Sequence, residues 1–147
     1  MIIKNSKEIS DKYLIITDES INDLETLYPV NMVQLYKQKK KLSKKEFNAF
    51  IDKYWDKIKK KYKLVVVIGS ELFKFFTGVK RAGNYHTEMY EYDGVTIIQG
   101  VKYQNSWLDK NKYLYNISLD TIDRFFYNKE PVRIWEYIEP EKVKYYV

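Results

Sequence analysis

The sequence contains no cysteine, which removes disulfides, thiolate zinc sites, iron–sulfur clusters and cysteine nucleophiles together. Its single histidine, His86, excludes a histidine cluster and any histidine pair acting as acid and base. His86 is left as a lone proton shuttle or as an ordinary loop or strand-edge residue. Any metal would need oxygen ligands, no spacing suggests such a site, and no cofactor is expected. Glycine (5) and proline (3) are scarce. Neither the phosphate-loop Gly-Lys-Ser/Thr nor the dinucleotide-binding Gly-x-Gly-x-x-Gly occurs. The longest aliphatic run is Leu64 to Ile68, far short of the roughly 20 apolar residues that cross a bilayer. The first ten residues mix Lys4, Lys7 and Glu8 with Ile2 and Ile3, and show neither the apolar core nor the cleavage site of a secretory signal. These absences set the expectation of no membrane and a reducing cytoplasm. The abundance of Lys, Tyr, Asn and Ile suggests an AT-rich genome, such as a low-GC bacterium or its phage, in which case the cytoplasm is the host's.

What is present is enough to fold. At 147 residues the chain has room for one core and not for two ordinary ones, so residues 1–147 are read as a single α/β domain. With 45% hydrophobic and 31% charged residues it is not disordered by composition. Aromatic residues make up 17% and include 15 tyrosines, which suit binding surfaces and small cores equally. The net charge of +6 is unevenly spread. Residues 37–63 hold twelve lysines against Glu46, Asp52 and Asp56, a net of +9, so the remainder carries −3. Such a patch is the footprint of phosphate-backbone contact; the other reading is a solvated helix face and loop that keep the protein in solution.

Hydrophobic periodicity supplies the elements. Tyr13 to Ile16 reads as a buried strand running into Thr17-Asp18-Glu19-Ser20. Ile21 to Leu27 can form a short helix, stopped by Tyr28-Pro29. Val30 to Tyr36 reads as a second strand. Ser43 and Glu46 form a capping box, and Phe47, Phe50, Ile51, Tyr54, Ile58 and Tyr62 recur at helical spacing. Leu64 to Ile68 shows no polar alternation, as expected of an interior strand covered on both faces. Ser70 is placed to cap a helix carrying Leu72, Phe73, Phe75 and Phe76, which Thr77-Gly78 ends. Residues 80–84 read as a basic loop. Glu88 to Tyr92 and Val95 to Ile98 flank the hairpin signal Asp93-Gly94. Ser118 is read as the cap of a last helix with Leu119, Ile122, Phe125 and Phe126 inward, and Val132 to Ile138 as a terminal strand between Pro131 and Pro140. The expected architecture is a three-layer α/β sandwich with a short, mainly parallel central sheet flanked by helices.

Three further constellations could carry chemistry. Gly69-Ser70 joins a buried strand to a helix N-terminus, a place for an anion or simply a tight turn. Asp18 and Glu19 follow the first strand at its carboxyl end, where a carboxylate can orient a water or cap the next helix. Gln104-Asn105-Ser106-Trp107 combines polar groups with a large aromatic, suited to a nucleic-acid backbone and a stacked base, or to a surface loop anchored by Trp107.

Pro29-Val30-Asn31-Met32-Val33, the helix after Ser43, Lys63 to Phe73 and Gln104-Asn105-Ser106 resemble, in order and spacing, the uracil-DNA glycosylase superfamily over about residues 28–127. The resemblance implies that Asn31 reads a flipped base, that Asp18 activates water, and that Gln104 and Ser106 contact the backbone or the leaving base. It implies DNA or another nucleic acid as partner, met by Lys39, Lys40, Lys41, Lys44, Lys45 and Trp107. Three departures accompany it: only Ser106 agrees with the family's His-Pro-Ser loop, Asp18-Glu19-Ser20 lacks the family's Gly and Pro, and the aromatic segment between the first two strands is missing. The resemblance therefore implies a shortened relative that keeps the scaffold and has lost or changed the chemistry. The other function class is a non-enzymatic phage accessory or structural protein, using its tyrosines and the edge at Trp135-Glu136-Tyr137 against a protein partner.

Overall fold

The computed structural model describes residues 12–18, 32–35, 41–80, 87–101 and 109–127. Five strands form one sheet in the order β2-β1-β3-β5-β4. They are β1 (Tyr13–Thr17), β2 (Met32–Gln34), β3 (Leu64–Ile68), β4 (Met89–Tyr92) and β5 (Val95–Gln99). The pairings of β1 with β2, β1 with β3 and β3 with β5 are parallel, and only the hairpin β4–β5 is antiparallel. The described helices are α1 (Lys44–Lys61), α2 (Ser70–Thr77) and α3 (Asp109–Tyr127).

The uniform apolar character of β3 reflects its place between β1 and β5, where all five residues are 0% exposed. Alternate residues feed two cores. Leu14, Ile16, Val65, Val67, Val95 and Ile97 pack under α1 and α2. Tyr13, Ile15, Leu64, Val66, Ile68 and Ile98 pack against Leu119 and Ile122 of α3. The chain is thus an α/β sandwich, as the apolar run of β3 anticipates. β2 ends at Gln34, with Leu35 outside it, and is only partly buried, as befits its position outside β1; residues 30, 31 and 36 of the expected strand lie outside the described residues.

Three details depart from the sequence reading. Ser43 does form a reciprocal capping box with Glu46, but the inward face of α1 takes Trp55 rather than Tyr54. Trp55 is 3% exposed and Tyr54 44%, because the indole N–H finds an acceptor in Asp93 at 3.1 Å and its ring stacks edge-on to Tyr92. Ser70 does not cap α2: the N-cap is Gly69, with no side-chain capping bond. Ser118 does not start α3, which begins nine residues earlier at Asp109; its hydroxyl donates to the Gln99 carbonyl at 3.2 Å, fastening the helix to β5. The helix expected at 21–27, the loop at 81–84 and the strand expected at 132–138 lie outside the described residues. No helix among the described residues is long and apolar enough to cross a membrane.

Candidate functional site

The chain runs from β1 outward to β2, then returns across β1 to place β3 on its other side. The strand order therefore reverses between β1 and β3, and the carboxyl ends of those strands border the crevice where open α/β sheets bind ligands. Asp18 and Gly69 are the first residues beyond the two strands. The Asp18 amide donates to the Ile68 carbonyl at 3.3 Å, carrying the ladder one step past the strand end.

Gly69 has φ +122, where a side chain is strained, and a Cβ there would overlap Asp18 Oδ1. The absence of a side chain at Gly69 is what lets the Asp18 carboxylate lie over its Cα, with Oδ1 shielded from solvent. This is also the doorway of α2, whose amino end lacks a side-chain cap. The positive end of a helix favours a negative charge, so Asp18, the residue after β1, adds an anion to the one that Glu71 already supplies in the first turn of α2.

That arrangement bears on the Gly69-Ser70 turn as an anion site. A unit negative charge placed about 4 Å from an ionised carboxylate meets a repulsion of about 4 kcal/mol at an effective dielectric of 20. A helix terminus returns roughly 0.3–1 kcal/mol. With Asp18 ionised, a phosphate at this helix end loses.

Gln99 is a candidate that the sequence did not single out. It ends β5 opposite Val67 and shares the parity of Val95 and Ile97, which places it on the α1/α2 face at the same carboxyl edge as Asp18. It is 7% exposed, and among the described residues its Oε1 takes no hydrogen bond. A polar residue following Val95 and Ile97 on the buried face of the strand Val-Thr-Ile-Ile-Gln was the available signal. On the opposite face, Asn116 Oδ1 of α3 is likewise shielded without a hydrogen bond. Ser118 on Gln99 and Phe126 against Tyr13 fix the direction of α3, so residues 109–117 extend past the strand ends by about 13 Å at 1.5 Å per residue. The half-buried phenol of Tyr115 on this stretch is pushed up by desolvation.

The lysines divide by position. Only two residues separate α1 from β3, so Lys59, Lys60 and Lys61 lie at the amino ends of the strands. There they complement the negative end of α1, and Lys59 also bonds Asp93 Oδ2 at 3.1 Å. Lys41, Lys44 and Lys45 lie at the other end of α1 and are exposed. Lys44 Nζ sits 4.8 Å from the Phe47 ring and 5.2 Å from that of Phe75 on α2. Of the residues singled out from sequence, Asp18, Lys41, Lys44, Lys45, Gly69 and Ser70 are described; Glu19, Asn31, Lys39, Lys40, His86, Gln104, Asn105, Ser106, Trp107 and Trp135 lie outside the described residues. Among the described residues no group of three or more His, Cys, Asp or Glu side chains could hold a metal ion. Compared with known proteins, the chain matches no family model and no curated protein.

Proposed function

We propose that this chain is a nucleic-acid-binding protein of uracil-DNA glycosylase-like fold. In this reading the crevice at the carboxyl ends of β1 and β3 faces the nucleic acid and the lysines leading into α1 hold its backbone. The observation that carries it is the placement of Lys41, Lys44 and Lys45. Cations at a helix amino end oppose its dipole, at a cost of roughly 0.3–1 kcal/mol each near the terminus. Helix stability accounts for Lys59 to Lys61, and the Phe47 and Phe75 rings engage Lys44, but neither accounts for Lys41 and Lys45; a polyanionic partner does. If chemistry survives, Asp18 is the group positioned to orient water, with Asn31 reading the base and Gln104 and Ser106 meeting the backbone or leaving base.

The test is a DNA-binding titration across salt concentrations with uracil release measured in parallel. Affinity that falls steeply with salt supports the binding reading. Uracil release lost in both Asp18→Asn and Asn31→Ala supports the enzymatic form. No release from single- or double-stranded DNA by the parent protein sinks the enzymatic form, and no binding at physiological salt sinks the whole reading.

A further inference from the structure

We propose that Gln99 is a ligand-reading residue of the carboxyl-end crevice. The group it reads is an uncharged planar heterocycle whose edge sets an N–H donor beside a carbonyl or ring-nitrogen acceptor, as a nucleobase does. The identification as a base rests on the nucleic-acid reading above; the reading role of Gln99 rests on its own surroundings.

A glutamine 7% exposed whose Oε1 takes no hydrogen bond among the described residues is out of place in a finished core, since a buried acceptor without a donor is costly and each one calls for an explanation. Its backbone position is well made: the Gln99 carbonyl accepts from Ser118, and the following amide, that of Gly100, donates to Val67 at 2.9 Å. Among the described residues the side-chain Oε1 remains without a hydrogen bond. It lies on the same face and at the same edge as the first turn of α2, where the N-cap Gly69 brings no capping side chain and Ser70 is exposed. The crevice therefore offers an acceptor from Gln99 and donors from the backbone of α2, with the Asp18 carboxylate beside Gly69.

Each simple ligand class fails against some part of this set. An anion shares the site with the Asp18 carboxylate beside Gly69 and leaves the Gln99 acceptor without a donor. An ammonium group satisfies Gln99 and is drawn by the Asp18 carboxylate, but it carries no acceptor for the α2 amides. An apolar group leaves donor and acceptor both unsatisfied. A neutral edge with adjoining donor and acceptor satisfies both, and a side-chain amide is the group that pairs such an edge in a bidentate way.

The experiment titrates the whole protein with uridine, cytidine, adenosine and guanosine by NMR, following the backbone amides of Ser70 and Glu71 and the side-chain amide of Gln99, and records melting temperatures without ligand. The expected result is a saturable shift at all three groups in the parent. In Gln99→Met the affinity should be at least tenfold weaker while the ligand-free melting temperature is unchanged or higher. Gln99→Glu, which keeps an acceptor and loses the donor, should change the order of nucleoside affinities. A parent with no shift at these groups overturns the proposal, as does a Gln99→Met protein that melts lower and responds to nucleosides unchanged. DNA binding that depends on the α1 lysines without any nucleoside response removes the role of Gln99 and leaves the nucleic-acid reading standing. A nucleoside response without salt-dependent DNA binding does the reverse.

Discussion

The indole N–H of Trp55 and the ammonium of Lys59 both donate to Asp93 Oδ2, each at 3.1 Å. One carboxylate oxygen thereby ties α1 to the turn between β4 and β5, where Asp93 sits at φ 49. The hydrogen bond and charge of Lys59, with a smaller contribution from Trp55, hold the Asp93 carboxyl below its ordinary value of 3.8. Lys59 is raised above 10.5, first by its hydrogen bond to Asp93.

The sign of the pH dependence follows. Because the Asp93 carboxyl is lowered on folding, its contribution is complete above 3.8 and is lost as pH falls through the lower folded value. The Lys59 contribution is complete below 10.5 and is lost as pH rises through its raised folded value. Asp93→Asn keeps an acceptor for Trp55 and tolerates the positive φ, so it isolates the charge. It should lower the melting temperature modestly at neutral pH, with the gap to the parent closing below about pH 4. A gap that stays constant down to acid pH would assign the effect to geometry.

The Asp18–Gly69 approach makes a second prediction. Gly69→Ala adds a Cβ where Asp18 Oδ1 lies and forces φ +122 on a side chain. It should cost about 2–4 kcal/mol in denaturant unfolding. Asp18→Ala in the same chain removes the overlap but not the strained φ, so the double variant should recover part of the loss, a coupling of roughly 1–3 kcal/mol. Strict additivity would mean that the carboxylate is not held against Gly69.

Much of this frame was legible in the residues, for identifiable reasons. A five-residue aliphatic run, a capping box and an Asp-Gly turn are local signals, and β3, the start of α1 and the β4–β5 hairpin follow them. Trp55 was not legible, because its burial depends on Asp93, 38 residues away. Ser70 and Ser118 misled because a serine near an apolar run signals a cap, whereas the partners that matter here, Asp18 beside Gly69 and the Gln99 carbonyl, come from distant strands. Gln99 escaped notice as one polar residue at the end of a strand. Its character shows only when the sheet places it at the carboxyl edge, opposite Val67, with its oxygen shielded and without a hydrogen bond among the described residues.

The capping box offers a cleaner local test. The Glu46 amide donates to Ser43 Oγ at 3.2 Å and the Ser43 amide to Glu46 Oε1 at 3.3 Å, so two of the free donors at the start of α1 are met reciprocally. Ser43→Ala should lower stability by about 1 kcal/mol. If Lys41, Lys44 and Lys45 grip a polyanion, the same change should also weaken DNA binding slightly, because it frays the turn that presents them. Unfolding curves and DNA affinities measured on one preparation separate the two effects.

The lysines themselves give the most direct contrast. Neutralising Lys41, Lys44 and Lys45 together should flatten the dependence of log affinity on log salt by up to about 2.7, at roughly 0.9 for each duplex phosphate the protein ceases to neutralise. Neutralising Lys57, Lys60 and Lys61, toward the amino ends of the strands, changes net charge by the same amount. It should leave more of the slope intact, while weakening the helix through its carboxyl-terminal dipole. Fluorescence anisotropy with a labelled duplex over a range of salt reads both variants. Equal slopes would mean that the protein attracts nucleic acid through its overall charge, whereas a selective flattening in the first variant places the DNA at the end of the sheet that carries Asp18 and Gln99.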